Sequence, residues 1–89
     1  MTARFETLRQ RFLERCASDL AVLQQSLDSP DAIHATDLKT LVHRMSGAAT
    51  AFDLPRLSIP AMRLDIQLAT GAPPSRDLVQ ALIDELSAI

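Results

Sequence analysis

Leu41-Val42-His43-Arg44-Met45-Ser46-Gly47-Ala48-Ala49-Thr50-Ala51-Phe52-Asp53-Leu54 reads as a helix whose apolar face is complete without its histidine. At about 100° per residue, Leu38, Leu41, Val42, Met45, Ala49 and Phe52 fall on one side. His43 falls close to the opposite side, and Gly47 lies beside it one turn later. A glycine in mid-helix costs about 1 kcal/mol relative to alanine. On a wet face no core packing offsets that cost, so a partner that approaches His43 closely is the best reason for the missing side chain.

The neighbouring stretches repeat the same period. From about Ala3 to Asp28, Phe5, Leu8, Phe12, Cys16, Leu20, Leu23 and Leu27 recur at steps of three or four and predict a long amphipathic helix. Ser29-Pro30-Asp31 closes it, because proline disfavours helix in the residue before it. Thr36 is the expected N-cap of the second helix, with Asp37 in its first turn, and this helix should end near Phe52 or Asp53. A third helix begins between Pro55 and Ile59. Pro55 could sit in its first turn, but Pro60 would then break an interior hydrogen bond, so a distorted start or a new cap at Ser58 is expected, with regular helix over about Ile59 to Ala69. Its core stripe is Leu57, Ala61, Leu64 and Leu68. Gly71-Ala72-Pro73-Pro74 ends it. Ser75 then caps a fourth helix with Leu78, Val79, Leu82, Ile83, Leu86 and Ile89 turned inward.

Four amphipathic helices with short connections imply an all-α, antiparallel, up-down-up-down four-helix bundle, one domain over residues 1–89. Composition agrees. Apolar residues are 47% of the chain, enough to fold, and aromatics only 3%. The net charge of −2, with no basic block and no row of stacking aromatics, argues against nucleic acid. No apolar run of about 18 residues exists to span a membrane, and residues 1–6 carry no apolar core of a secretion signal. The single Cys16 makes no internal disulfide, which fits a cytoplasmic setting, and its place on the stripe makes it a buried small hydrophobe. The apolar stripes look fully used by an internal core, so a monomer is expected and a plain assembly module ranks last.

Most catalytic spacings are missing. The chain has no glycine-rich phosphate loop, no His-Glu-x-x-His and no Cys-x-x-Cys. Asp31-x-x-His34 is a weak metal pattern in a connection, and His34 reads most simply as a solvated loop residue. No ATP site is visible, so the chain does not phosphorylate itself from ATP. An exposed helical histidine is usually only a solvated side chain. At His43, however, three features point further: Gly47 beside it, the small run Gly47-Ala48-Ala49, and the polar company of Lys39, Thr40, Ser46 and Thr50.

His43-x-Met45-Ser46-Gly47, followed by Ala49, Phe52 and the later Leu57…Leu64-Asp65, resembles the histidine-containing phosphotransfer (HPt) domain. The family pattern is His-x-Leu-Lys-Gly, small residues, an apolar-Gly pair, then a helix of spaced leucines ending Leu-Glu. Here the lysine is Ser46, the glycine that ends the motif helix is Asp53, and the glutamate is Asp65. The resemblance covers about residues 38 to 65.

It implies a phosphorelay intermediate with no ATP site of its own, in which His43 accepts a phosphoryl group from a receiver-domain phospho-aspartate. By the same resemblance the partners are receiver domains of response regulators or hybrid kinases. No cofactor is expected on this chain, and Mg²⁺ is expected from the receiver. Lys39, Thr40, Arg44, Ser46, Gly47 and Thr50 are the expected docking or phosphoryl-adjacent residues. Lys39, Arg44 or Arg63 would replace the cation that Ser46 lacks. A bundle that docks receivers without being phosphorylated is the alternative.

Overall fold

The computed structural model describes residues 2–29 and 35–89. Among them are four helices and no strand: α1 Thr2–Asp28, α2 Ala35–Ala51, α3 Pro55–Ala69 and α4 Arg76–Ser87. Each helix packs against two others, so α1 and α3 stand across the bundle from one another, as do α2 and α4. The α2–α3 interface is the most extensive and the α1–α2 interface the thinnest. At about 1.5 Å per residue α1 is roughly 40 Å long, which matches the 42 Å long dimension of the molecule.

The core follows the stripes. Leu38, Leu41, Val42, Met45 and Ala49 of α2 are buried, as are Leu57, Ala61, Leu64 and Leu68 of α3 and Val79, Leu82, Ile83 and Leu86 of α4. From α1 come Phe12, Cys16 and Leu23. Burial pushes the Cys16 thiol up to about 11, helped by the charge of Asp19, so it is a protonated core group and no nucleophile. The chain's three phenylalanines join α1 to the end of α2. Phe52 stacks on Phe12 at 5.5 Å between centroids and meets Phe5 edge-on at 5.2 Å.

Helix ends carry their own chemistry. Asp53 adopts a left-handed φ of 56°. Its N–H donates to the Thr50 carbonyl at 3.1 Å, and the Leu54 N–H reaches back to Ala49 at 2.9 Å. These two bonds are the paired closure of a Schellman motif, in a seat that glycine usually takes. Gly71, at φ 81°, ends α3 in the same left-handed region. Ser75 caps α4, its hydroxyl accepting from the Leu78 N–H at 3.4 Å.

Several expectations need correction. α3 starts at the near end of the expected range, with neither a new cap at Ser58 nor regular helix delayed to Ile59. Pro55 takes the first helical position, and the Leu54 carbonyl accepts from Leu57 and Ser58 at 3.0 and 2.8 Å. Pro60 is carried inside the helix because burial of Leu57 and Ala61, at 2% and 0% exposure, anchors its first turns. Thr36 is inside α2 rather than at its cap, and its carbonyl accepts the Thr40 hydroxyl. Ile89 lies beyond α4 and is exposed. The apolar residues are not all used by the core either. Phe5 and Leu8 near the start of α1, and Ile59, Met62 and Ile66 on α3, face outward. Asp31 and His34 lie outside the described residues.

Candidate functional site

His43 projects from the middle of α2 with 79% of its side chain exposed. The helix behind it is fixed by the buried stripe, so the imidazole stands on a rigid support and not on a loop. Its Nδ1 lies 3.0 Å from Asp65 Oδ2 on α3. An ionised carboxylate only accepts hydrogen bonds, so Nδ1 is the nitrogen that carries the proton. In the neutral ring Nε2 is then left with its lone pair, facing solvent. Asp65, 21% exposed, is tucked against the α2–α3 interface and holds the ring's orientation as well as its tautomer.

Gly47 follows one turn later. A Cβ built there would meet nothing within 4 Å. No neighbour among the described residues demands the glycine, and the space beside His43 is open to an outside molecule.

The remaining expected residues divide. Lys39 is exposed one turn before His43 and takes part in neither ion pair found among the described residues. Thr40 and Thr50 are exposed, but their hydroxyls donate to the Thr36 and Ser46 carbonyls, each at 2.9 Å, so only acceptor lone pairs face outward. Arg44 points to the other flank of α2, where its guanidinium donates to Asp19 Oδ1 of α1 at 3.2 Å. Ser46 is not on the exposed side as expected. It is 8% exposed, because three residues after His43 the helix has turned toward the α3 interface. Arg63, two residues before Asp65, lies nearly opposite it around α3. Of the three cations considered, Lys39 alone is on the side of His43.

Two residues of this neighbourhood escape a reading of the sequence by stripes. Asp65 is legible only as the counterpart of the family's glutamate. Asp19 is a buried acid, 6% exposed, three residues after Cys16 and four before Leu23. An acid at core spacing is a signal that a partner crosses to meet it. Burial raises its carboxyl pKa above the ordinary range, and the Arg44 guanidinium lowers it only in part. Among the described residues no group of three or more His, Cys, Asp or Glu is close enough to hold a metal ion, and no helix is long and apolar enough to cross a membrane.

In a comparison with known families, the model of the Hpt domain matches residues 7–89, nearly the whole chain. No curated protein and no solved structure gave a match.

Proposed function

The chain belongs to the Hpt domain family, whose members carry histidine phosphotransfer in phosphorelays and interact with receiver domains, and from that premise we propose that His43 is its phosphoacceptor. We read the bundle as one domain with consecutive helices antiparallel, since its connections are short. The observation that carries the assignment is the free Nε2 of His43, with Asp65 on Nδ1 and open space over Gly47.

The Nε2 lone pair attacks phosphorus in the acyl phosphate of a receiver's phospho-aspartate. The N–P bond forms, the P–O bond to the aspartate breaks, and the aspartate leaves as a carboxylate. No proton has to depart. Nδ1 keeps its hydrogen, and the positive charge that develops on the ring is met by Asp65. Phosphoryl transfer of this kind depends mainly on in-line positioning and charge stabilisation. Here the rigid α2 supplies the positioning, Gly47 the clearance, and Lys39 a cation toward the phosphoryl oxygens. The second step is the reverse attack by the aspartate of another receiver. By the family resemblance, a Mg²⁺ ion in the receiver's acidic pocket would supply further charge neutralisation, with no metal expected on this chain. The setting is the cytoplasm, where response regulators are phosphorylated.

The test is His43→Gln. The unaltered protein, offered a phosphorylated receiver, should take up label that is acid-labile and base-stable, as a phosphoramidate is. The variant should fold equally well and take up none. Undiminished labelling of the variant would sink the assignment. A folded parent that binds charged receivers yet stays unlabelled would make the domain a binding-only bundle.

A further inference from the structure

Resting on the phosphotransfer reading, we propose that the outward ridge of α3, formed by Ile59, Met62 and Ile66, is the surface on which the receiver docks. These side chains are 50%, 46% and 60% exposed, while Leu57, Ala61, Leu64 and Leu68 of the same helix fill the core. Steps of three and four align the three on one face over about 10 Å of helix. Nothing in the interior of the bundle accounts for three large aliphatic groups in water, and an exposed apolar cluster of this kind marks an interaction site.

Position identifies the occupant. Met62 is one turn before Asp65 and Ile66 is the next residue after it, and the Asp65 carboxylate is 3.0 Å from His43. A body that delivers a phosphoryl group to Nε2 therefore reaches the ridge with its flank. On the far side of the ridge Arg56 and Arg63, seven residues apart, are both exposed. An apolar strip with guanidiniums along one border and the acceptor along the other suits a partner with an apolar patch beside an acidic pocket. Size argues against a second copy of this chain. Three side chains, each already half-covered by its own helix, fall well short of the roughly 800 Å² per partner of a stable interface. They suit a transient partner that draws the rest of its contact from the surface around His43.

A rival surface exists on the other flank of α2. A groove of about 290 Å³ between α1 and α2 is floored by Leu8, Phe12, Met45 and Phe52 and bordered by Arg15 and Arg44. Much of that floor is already core, and Arg44 is engaged with Asp19.

The experiment uses the receiver that labels the unaltered protein fastest among a panel charged with acetyl phosphate. Met62→Lys and Ile66→Lys are compared with Leu8→Lys in the groove, and each is also offered phosphoramidate, which needs no docking. The ridge variants should accept label from phosphoramidate at the parent rate but lose about tenfold in transfer from the receiver at sub-saturating concentration, as expected when a charge replaces a well-placed apolar contact. Leu8→Lys should transfer normally. Unchanged transfer in both ridge variants, or a loss confined to Leu8→Lys, overturns the docking proposal while phosphoramidate labelling keeps the acceptor assignment intact. A parent that sediments as a dimer and becomes monomeric in the ridge variants, with transfer unchanged, shows the ridge to be a self-interface and also overturns it. Failure of phosphoramidate to label the parent at His43 removes the phosphotransfer reading itself, and the docking proposal with it.

Discussion

His43 and Arg44 are neighbours on α2, and each is held by an aspartate from a different helix. The two pairs have almost the same length, 3.0 and 3.2 Å, but opposite surroundings. In the first, the imidazole is 79% exposed and its aspartate 21%; in the second, the guanidinium is 45% exposed and its aspartate 8%. The exposed pair contributes little to folding, because water screens it, yet it fixes which nitrogen is nucleophilic. The buried pair has no reacting atom, but it ties α1 to α2, whose interface is the thinnest of the four. One residue along α2, about 100° around its axis, thus separates a pair that leaves an imidazole nitrogen in solvent from a pair that ties two helices together, and solvent exposure makes the difference.

The contrast breaks most visibly at Arg44. Arg44→Ala leaves Asp19 buried without its partner and should destabilise the protein by about 1–2 kcal/mol, below the range for fully buried pairs because Arg44 is half in water. Phosphoramidate labelling of His43 should be unchanged. Asp19→Asn should behave differently. The Asp19 pKa is raised mainly by burial, so the folded state holds that proton more tightly than the unfolded one. The contribution to stability is complete below the ordinary carboxylate pKa of about 3.9 and is lost as pH rises through the raised folded value. The difference in melting temperature between Asp19→Asn and the parent should therefore grow in favour of the variant across that window and then level off. Thermal melts from acid to neutral pH read this directly, and a variant that is less stable at neutral pH would show that the Arg44 attraction outweighs desolvation.

On the exposed side, Asp65→Ala should leave the melt within a few tenths of a kcal/mol, as expected when a screened pair is removed. It frees the imidazole to populate both tautomers and orientations. Labelling by phosphoramidate should slow by about tenfold, the lower end of what losing the carboxylate behind a metal-ligating histidine typically costs. A rate equal to the parent's would mean that the ring needs no such support.

The pairs also differ in how far they could be read from sequence. The helices and nearly all of the core were legible, because stripes at steps of three and four carry the same information as the burial pattern. His43 and Gly47 were legible because each violates that pattern on a wet face. What stayed hidden depends on side chains meeting across helices. Arg44 is indistinguishable from any surface arginine until α1 brings Asp19 to it. Ser46 reads as exposed company of His43 until the close approach of α3 covers it. Ile59, Met62 and Ile66 are ordinary apolar residues in the sequence, and only the position of the core shows them to be on the wrong side of α3. The expected delay of regular helix to Ile59 failed for an energetic reason. A local rule about Pro60 was outweighed by two buried residues next to it, Leu57 and Ala61.

The smallest expected effect is also the most specific. Open space over Gly47 means that a side chain there should not disturb the fold. Replacing glycine by a good helix former in an α-helix gains about 0.5–1 kcal/mol, so Gly47→Gln should raise the melting temperature by a few degrees for a domain of this size. The same side chain would stand beside Nε2 in the path of a receiver's loops. Phosphoramidate, a small donor, should still label His43 at close to the parent rate, while transfer from a receiver should fall. A stabilised protein with selectively impaired transfer can be explained only by clearance for a large partner. A destabilised one would place the need for glycine inside the bundle, and His43 would then lose the feature that first set it apart from a solvated histidine.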